Sequence, residues 1–161
     1  MDPMARSLLE AYDALGRDAL GLSALAEFTR RANEGRAALG DPDAVGARVA
    51  LLVEQGWLRP AGAPEIFART EDGRLALAGP RDVTLYTRPG CHLCEEAKAQ
   101  MAPLLGEFGA KLREVNIDAD AVLRERYSND VPVVFLGSRR VAKHRVDLDQ
   151  FRRQLASAAG G

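Results

Sequence analysis

The sequence predicts two small domains: a mostly helical one over residues 1–79 and an α/β one, of order βαβαββα, over residues 80–161. Leucine- and alanine-rich stretches with helical spacing fill the first part. Gly79-Pro80 interrupts this pattern, because neither residue continues a helix easily. Val83-Thr84-Leu85-Tyr86 follows, a β-rich segment that opens an alternation of strand and helix patterns. Each part has about 80 residues, which is enough for a core of its own.

Three helices are expected at the start of the first domain. Gly16 is expected to end the first helix, the Ser23 hydroxyl to cap the second, and Asp41-Pro42 to open a third that runs to Gly56. The apolar side chains expected to face the core are Leu8, Leu9, Tyr12 and Leu15 in the first helix, Leu25 and Phe28 in the second, and Val45, Val49, Leu52 and Val53 in the third.

A hairpin and a short helix complete this domain. Trp57-Leu58-Arg59 and Ile66-Phe67-Ala68-Arg69 are β-prone segments on either side of a turn-rich stretch, and Thr70 is expected to cap a last helix. This order resembles the winged-helix family, chiefly through Gln55-Gly56-Trp57-Leu58 and Thr70-Glu71-Asp72-Gly73-Arg74. The resemblance implies DNA binding through the third helix.

The exposed face of the third helix argues against DNA. Asp43, Ala47, Ala50 and Glu54 point outward when the apolar stripe faces inward, whereas contacts to a duplex need several cations or amide side chains. Residues 1–80 carry nine arginines, no lysine and twelve acidic residues, a net charge of −3. The segment from Glu34 to Gly40 is also longer than a helix-turn-helix turn, unless the second helix continues into it. We therefore expect residues 1–79 to contact a protein partner, or to be a structural appendage, rather than to bind DNA.

The second domain alternates strands and helices. Strands are expected at 82–87, 112–118, 133–136 and 139–144, and helices from Cys91, over 119–127 and after an Asp147 cap. Gly137-Ser138 fits a two-residue hairpin turn, and Pro103 is expected to kink or end the first of these helices near Ala102. The apolar side chains expected to face the core in that helix are Leu93, Ala97, Met101, Leu104 and Phe108, and the last helix contains Leu148, Phe151 and Leu155.

The two cysteines of the chain, Cys91 and Cys94, flank a dipeptide where a strand and a loop lead into a helix. A helix N-terminus stabilises a thiolate through its free N–H groups and its dipole. We therefore expect Cys91 to be the attacking thiol and Cys94, one turn further on and more enclosed, the resolving thiol. His92 and Arg88 are expected to stabilise the Cys91 thiolate further.

Two other interpretations of the cysteine pair stay open. A structural disulfide or two inert thiols would fit the spacing, although neither is typical of a reducing compartment. A zinc site would need His92 and also His144, which would have to come across the fold, so no metal is expected.

The second domain resembles the thioredoxin fold in its short glutaredoxin form over residues 82–156. The segments that carry the likeness are Leu85-Tyr86-Thr87, Cys91-His92-Leu93-Cys94, Val115-Asn116-Ile117-Asp118 and Asp130-Val131-Pro132-Val133. The resemblance, which is greatest to bacterial glutaredoxin-like proteins, implies thiol–disulfide exchange. It also implies that Pro132 is cis opposite the cysteines, and that Val131 pairs its backbone N–H and C=O with a substrate peptide.

Glutathione is an open question in this resemblance. Asp130 stands where glutathione-dependent glutaredoxins have a threonine, and the stretch after the last strand, Lys143-His144-Arg145-Val146-Asp147, lacks their glycine pair. We expect no bound cofactor, with glutathione or another thiol as the candidate reductant. The expected partners are a disulfide-bearing protein or a low-molecular-weight thiol.

Composition narrows the function further. The formal charge is −1 and the isoelectric point about 6.1, so bulk charge favours neither nucleic acid nor an anionic membrane. The sequence shows neither a signal peptide nor a membrane-spanning run, and we expect a cytoplasmic protein. The leading hypothesis is a thiol–disulfide oxidoreductase whose first domain selects the partner. The alternatives are a redox-responsive adaptor, in which the disulfide gates binding of protein or DNA by the winged helix, and a metal-ion carrier.

Overall fold

The structure, a computed structural model, describes residues 1–33 and 41–160. The chain divides into two compact units, Met1–Leu77 and Ala78–Gly161. The segment 34–40, whose length bears on the winged-helix resemblance, lies outside the described residues. No helix among the described residues is both long enough and apolar enough to cross a membrane.

The described part of the first unit combines helices with a small antiparallel sheet, in which β3 lies between β1 and β2. Its elements are α1 (Pro3–Leu15), β1 (Ala19–Gly21), α2 (Leu22–Ala32), α3 (Pro42–Glu54), β2 (Leu58–Pro60), β3 (Ile66–Arg69) and α4 (Glu71–Leu77). The core between them includes Leu8, Leu9, Tyr12, Leu25, Val45, Val49, Leu52 and Leu58.

Polar caps and one glycine define the helix ends of this unit. The Asp41 carboxylate accepts the Ala44 N–H at 3.0 Å, and the Thr70 hydroxyl accepts the Gly73 N–H at 3.1 Å. Gly16 ends α1 in the left-handed conformation, with φ 61°. The predicted Asp41 and Thr70 caps and the Gly16 stop are confirmed.

Two expectations for this unit were wrong. Helix α2 begins at Leu22 with Gly21 as its N-cap, so Ser23 is not the cap. The reason is β1, which the sequence did not predict: its pairing with β3 brings the Leu22 N–H to the Glu65 carbonyl at 2.9 Å. Leu15, expected in the core, is 44% exposed in the last turn of α1.

The second unit contains a mixed four-stranded sheet of order β5-β4-β6-β7. Its elements are β4 (Asp82–Thr87), α5 (His92–Phe108), β5 (Lys111–Asn116), a 3₁₀ turn (Ile117–Ala119), α6 (Ala121–Tyr127), β6 (Val133–Leu136), β7 (Arg139–Lys143) and α7 (Leu148–Ala159). In this sheet as described, β4 and β5 are parallel, whereas the β4–β6 and β6–β7 pairs are antiparallel. This arrangement is compatible with a thioredoxin-like fold.

Of the two outcomes expected at Pro103, a kink or an end near Ala102, the end is excluded, because helix α5 continues through Pro103 to Phe108. Pro103 is exposed, while Met101 and Leu104 on either side are buried in the core. The proline therefore interrupts hydrogen bonding on the solvent side only, and core packing holds both halves of the helix. Leu93, also expected in the core, is 44% exposed.

Two short polar side chains and one positive φ shift three other boundaries. Strand β5 stops at Asn116, whose side chain accepts the Asp118 N–H at 3.0 Å and starts the 3₁₀ turn. Asp120 then caps α6, which begins at Ala121 rather than at 119. Strand β7 ends at Lys143, because His144 takes a positive φ of 62°. The Asp147 cap of α7 is confirmed, with its carboxylate 2.9 Å from the Gln150 N–H.

Candidate functional site

Cys91 is the N-cap of α5. Its backbone carbonyl accepts the Cys94 and Glu95 N–H groups at 3.1 and 3.2 Å, and its Sγ accepts the Cys94 N–H at 3.2 Å. One helix-start donor, the Cys94 N–H, thus points at this sulfur, and Cys91 is bonded to Cys94 in a disulfide. Cys91 is partly exposed, whereas Cys94 is 1% exposed. An attacking reagent from solvent therefore meets Cys91 first.

The loop that carries Cys91 follows the C-terminal end of β4, which lies inside the sheet between β5 and β6. Gly90 has a φ of 75°, a conformation that favours glycine, and the Cys91 N–H donates to the Arg88 carbonyl at 3.3 Å. This tight turn places Cys91 at the N-cap position of α5.

Val131 and Pro132 lie at the same edge of the sheet as the cysteines. Tyr86 near the end of β4 pairs with Val133 at the start of antiparallel β6, so the residues just before β6 lie beside the loop just after β4. The Val131–Pro132 peptide bond is cis. The Val131 N–H already donates to the Tyr127 carbonyl at 3.2 Å, so the expectation that it is free for a substrate needs correction. The Val131 carbonyl is the group left for such a contact.

Aromatic packing holds these segments together. The Tyr86 ring lies 4.8 Å from the Tyr127 ring and 5.5 Å from the Phe135 ring, measured between centroids. The first contact joins β4 to the end of α6, and the second joins β4 to β6. These ring contacts therefore hold β4, the strand that leads to the cysteine loop, against both α6 and β6.

His92 and Arg88, the two side chains expected to stabilise the Cys91 thiolate, occupy different environments. His92 is exposed at the first position of α5. The Arg88 guanidinium is bonded to other residues: Nη2 lies 2.8 Å from the Asp118 carboxylate, and Nη1 lies 3.4 Å from the Ser128 carbonyl. The sequence did not predict these contacts, because Asp118 reaches Arg88 through the β4–β5 pairing, Ser128 lies at the end of α6, and neither is close to Arg88 in the chain.

A cavity of about 270 Å³ lies next to the cysteine motif, and sequence reasoning did not predict it. One wall is a single face of α5, and the other is the connection between β7 and α7. The residues that line it are Leu93, Glu96, Ala97, Gln100, His144, Arg145 and Val146. The i, i+3, i+4, i+7 spacing of the first four was the available signal. It went unused because Leu93 was expected to face the core.

Asp130 and His144 connect the segment before β6 to the cavity wall. The His144 N–H donates to the Pro132 carbonyl at 2.8 Å and to the Asp130 carbonyl at 3.2 Å. The Asp130 carboxylate lies 3.4 Å from Lys143 Nζ and 3.6 Å from His144 Nε2. The described residues contain no group of three or more His, Cys, Asp or Glu side chains suited to a metal ion.

Comparison with known proteins gives matches to the second unit. Residues 82–156 match the glutaredoxin-like domain family (DUF836). A glutaredoxin-like protein of Dictyostelium discoideum is 33% identical over 75 residues, which cover 43% of this chain and 69% of that protein. An uncharacterised protein of Mycobacterium tuberculosis is 31% identical over 84 residues, covering 49% of this chain and 87% of that protein. A solution NMR structure of a protein from Nitrosomonas europaea is 34% identical, covers 45% of this chain and 87% of its own, and has a TM-score of 0.41.

Proposed function

The chain belongs, through residues 82–156, to the glutaredoxin-like domain (DUF836) family, and on that premise we propose that it is a thiol–disulfide oxidoreductase acting through Cys91 and Cys94. The family supports a thioredoxin-like redox role in general. The observation that carries the finer proposal is the asymmetry of the disulfide, with Cys91 accessible at the start of α5 and Cys94 buried behind it.

The reaction takes two electrons from the dithiol to a substrate disulfide. The Cys91 thiolate attacks one substrate sulfur, a Cys91–substrate disulfide forms, and the other substrate sulfur leaves as a thiolate that takes up a proton. Cys94 then loses its proton and attacks Cys91 Sγ, which releases the second substrate thiol. The product is the Cys91–Cys94 disulfide seen in the structure. An external thiol reductant reduces it again in two exchange steps.

The residues around Cys91 supply the chemistry of these steps. The Cys94 N–H that donates to Cys91 Sγ stabilises negative charge on this sulfur. It does so when the Cys91 thiolate attacks the substrate and when Cys91 leaves as a thiolate during reduction by the external thiol. His92 at the first helical position is proposed to add to this effect. The Val131 carbonyl and the cavity beside Leu93 are proposed to hold the substrate while the sulfurs exchange.

Replacement of each cysteine in turn tests the proposal. Cys91→Ser is expected to reduce activity toward a peptide disulfide to the background rate. Cys94→Ser is expected to complete the first attack only and to accumulate a mixed disulfide that dithiothreitol releases. Because the chain has no other cysteine, each variant carries one thiol, and thiol counting checks the assignment. Full activity in Cys91→Ser, or an inactive wild type together with an empty Cys94→Ser trap, would contradict the proposal.

The reductant and the compartment follow from the same chemistry. Recycling needs a thiol, and glutathione or another low-molecular-weight thiol is proposed for that role, without a bound cofactor. We propose a cytoplasmic location, since a dithiol enzyme that reduces disulfides needs a reducing environment.

The first unit is proposed to be a winged-helix-like module that contacts a protein partner. The order of its helices and its three-stranded sheet support this assignment. On α3, Asp43, Ala47, Ala50 and Glu54 are all exposed, and Arg48 is paired with Asp2 at 3.3 Å. This face offers acids and methyl groups where a duplex requires cations.

We therefore expect little affinity for DNA. Fluorescence anisotropy with a labelled 20-base-pair duplex at 50 mM salt is expected to show no binding below about 100 μM protein, the weak end of non-specific DNA binding. Salt-dependent binding at low micromolar protein would assign the first unit to DNA instead.

A further inference from the structure

Arg88 joins three segments of the second unit. Its backbone carbonyl accepts the Cys91 N–H at 3.3 Å, so the residue belongs to the loop that carries the accessible cysteine. Its guanidinium bonds the Asp118 carboxylate at 2.8 Å, and lies 3.4 Å from both the carbonyl and the hydroxyl of Ser128. One side chain thus connects the Cys91 loop, the turn after β5 and the end of α6.

The register of the sheet brings these segments together. Thr87, the last residue of β4, pairs with Asn116, the last residue of the parallel strand β5. Arg88 follows Thr87 directly and Asp118 follows Asn116 after one residue, and parallel strands place both at one edge of the sheet. Ser128 is fixed to α6, because its hydroxyl donates to the Arg124 carbonyl at 2.6 Å.

Ser128 also leads into the segment that faces the cysteines. Asn129 and Asp130 connect it to Val131, whose N–H bonds back to the Tyr127 carbonyl. A tie from Arg88 to Ser128 therefore restrains where the Val131–Pro132 segment lies relative to Cys91. The Arg88–Asp118 pair is partly exposed, since 32% of the Arg88 side chain and 38% of the Asp118 side chain is accessible to solvent.

The Arg88 guanidinium is already paired with the Asp118 carboxylate. A guanidinium bonded to a carboxylate forms a nearly neutral pair, and its field at a nearby sulfur is much smaller than that of a free cation. The pairing with Asp118 therefore weakens the charge with which Arg88 could stabilise the Cys91 thiolate, the role predicted from the sequence.

We propose that Arg88 and Asp118 are positioning residues that set the Cys91 loop against the Val131–Pro132 segment, and that this makes the protein selective for peptide disulfides over small ones. The proposal rests on the proposed oxidoreductase function. A peptide disulfide contacts both segments at once, so its reaction depends on their relative position. A small disulfide needs only Cys91, so its reaction does not.

The test compares two mixed disulfides with the same leaving group. Thionitrobenzoate is attached either to a ten-residue cysteinyl peptide or to 2-mercaptoethanol, and its release by the reduced full-length protein is followed by absorbance. Arg88→Gln and Asp118→Asn are each expected to slow the peptide reaction about tenfold, and the double variant no more than either single one. The 2-mercaptoethanol reaction is expected to stay within about twofold of wild type.

Arg152→Gln provides the matched control. Arg152 lies in α7, far from the cysteines in the sequence. It forms an ion pair of the same kind, with its guanidinium 2.6 Å from the Glu107 carboxylate. This variant is expected to leave the ratio of the two rates unchanged. Equal slowing of both substrates in Arg88→Gln would overturn the selectivity proposal.

The pH dependence separates positioning from a charge effect. If Arg88 acted on the thiolate, Arg88→Gln would raise the pKa of Cys91, and Asp118→Asn, which frees the guanidinium, would lower it. Positioning predicts that neither variant moves the pH profile of iodoacetamide alkylation. Opposite shifts in the two variants would overturn the proposal.

Hydrogen exchange distinguishes failure of this inference from failure of the proposed function. Positioning predicts faster exchange of the Val131 amide in Arg88→Gln and Asp118→Asn, but not in Arg152→Gln, whether or not the protein reduces disulfides. A wild type that releases thionitrobenzoate no faster than free cysteine would contradict the oxidoreductase function alone. Unchanged Val131 exchange in both variants would contradict the positioning role alone.

Discussion

Tyr12 and Arg69 form a buried polar pair in the first unit. The Tyr12 hydroxyl donates to the Phe67 carbonyl at 2.9 Å, and the Arg69 guanidinium lies 5.7 Å from the centre of the Tyr12 ring. Arg69 also bonds the Leu9 carbonyl and the Asp13 carboxylate. Burial raises the pKa of Tyr12 to about 12, against the opposing effect of the Arg69 charge. An ionised phenolate is thus strongly disfavoured inside this core.

This shift predicts an alkaline loss of stability in the first unit. Between the ordinary tyrosine pKa of 10.0 and the folded value of about 12, the unfolded chain releases the Tyr12 proton and the folded unit keeps it. The stabilisation is complete below pH 10 and falls as the pH rises toward 12. Urea unfolding followed by Trp57 fluorescence at pH 8, 10 and 11 measures it, since Trp57 is the single tryptophan and packs on this core.

Tyr12→Phe is the control for this prediction. The variant loses the hydrogen bond to the Phe67 carbonyl and is expected to be about 1 kcal/mol less stable at pH 8. Residues 1–77 contain no lysine, no cysteine and no second tyrosine, so Tyr12 is the side chain that titrates in this unit near pH 10–12. The wild type and the variant are therefore expected to converge in stability as the pH rises. Parallel curves would show that Tyr12 ionises equally in both states.

At the level of elements, the first unit depends on a close approach between α4 and the residue before β2. A Cβ atom on Gly73 would lie 2.3 Å from the Trp57 carbonyl oxygen, which is a backbone atom and cannot rotate away. Gly73→Ala is therefore expected to destabilise this unit by about 2–3 kcal/mol, as overpacking of a core does. The midpoint of the Trp57 fluorescence transition in urea measures the loss.

Gly106→Ala supplies the contrast. Gly106 lies in α5, and a Cβ placed there meets no atom of the described residues within 4 Å beyond its chain neighbours and the nearby backbone of the helix. In a helix an unobstructed alanine is favoured over glycine by about 0.5–1 kcal/mol, so this variant is expected to stabilise the second unit. A loss of stability in Gly106→Ala equal to that in Gly73→Ala would show that the backbone contact is not the cause.

Local signals predicted most of the elements. The caps at Asp41, Thr70 and Asp147 and the stop at Gly16 have side-chain or backbone chemistry that acts within a few residues, and the structure confirms all four. Strand β1 has only three residues, too few for a periodic pattern, and it exists because β3 pairs with it. The length of α5 depends on core packing around Pro103 and not on the proline alone.

The features of the candidate site also differ in whether the sequence could predict them. The cysteine motif and its helix start could be predicted because the spacing and the loop-to-helix context lie in one short stretch. The Arg88–Asp118 contact could not, because it requires the parallel register of β4 with β5. The cavity depends on how the β7–α7 connection faces α5, and the positive φ of His144 sets that connection.

On the scale of the whole molecule, each unit has a hydrophobic core of its own. One core is built around Leu8, Leu25 and Leu52, and the other around Leu85 and Met101. The disulfide belongs entirely to the second unit, and Trp57 to the first. Fluorescence of Trp57 and the redox state of the cysteines therefore report on different units.

Reduction of the disulfide is expected to change the stability of the second unit alone. The Cys91–Cys94 bond closes a loop of four residues, which in the chain-entropy account stabilises the oxidised form by about 2 kcal/mol. After reduction, the helix start stabilises the Cys91 thiolate and offsets part of this loss. Urea unfolding with and without dithiothreitol measures both units, with Trp57 fluorescence for the first and hydrogen exchange of β4 amides for the second. The midpoint of the Trp57 transition is expected to stay constant, while hydrogen exchange of the β4 amides changes with the redox state.

Cys91→Ser/Cys94→Ser is the control, since dithiothreitol should then change neither signal. A Trp57 midpoint that moves with the redox state in the wild type would mean that the first unit senses the disulfide, as the redox-responsive adaptor hypothesis requires.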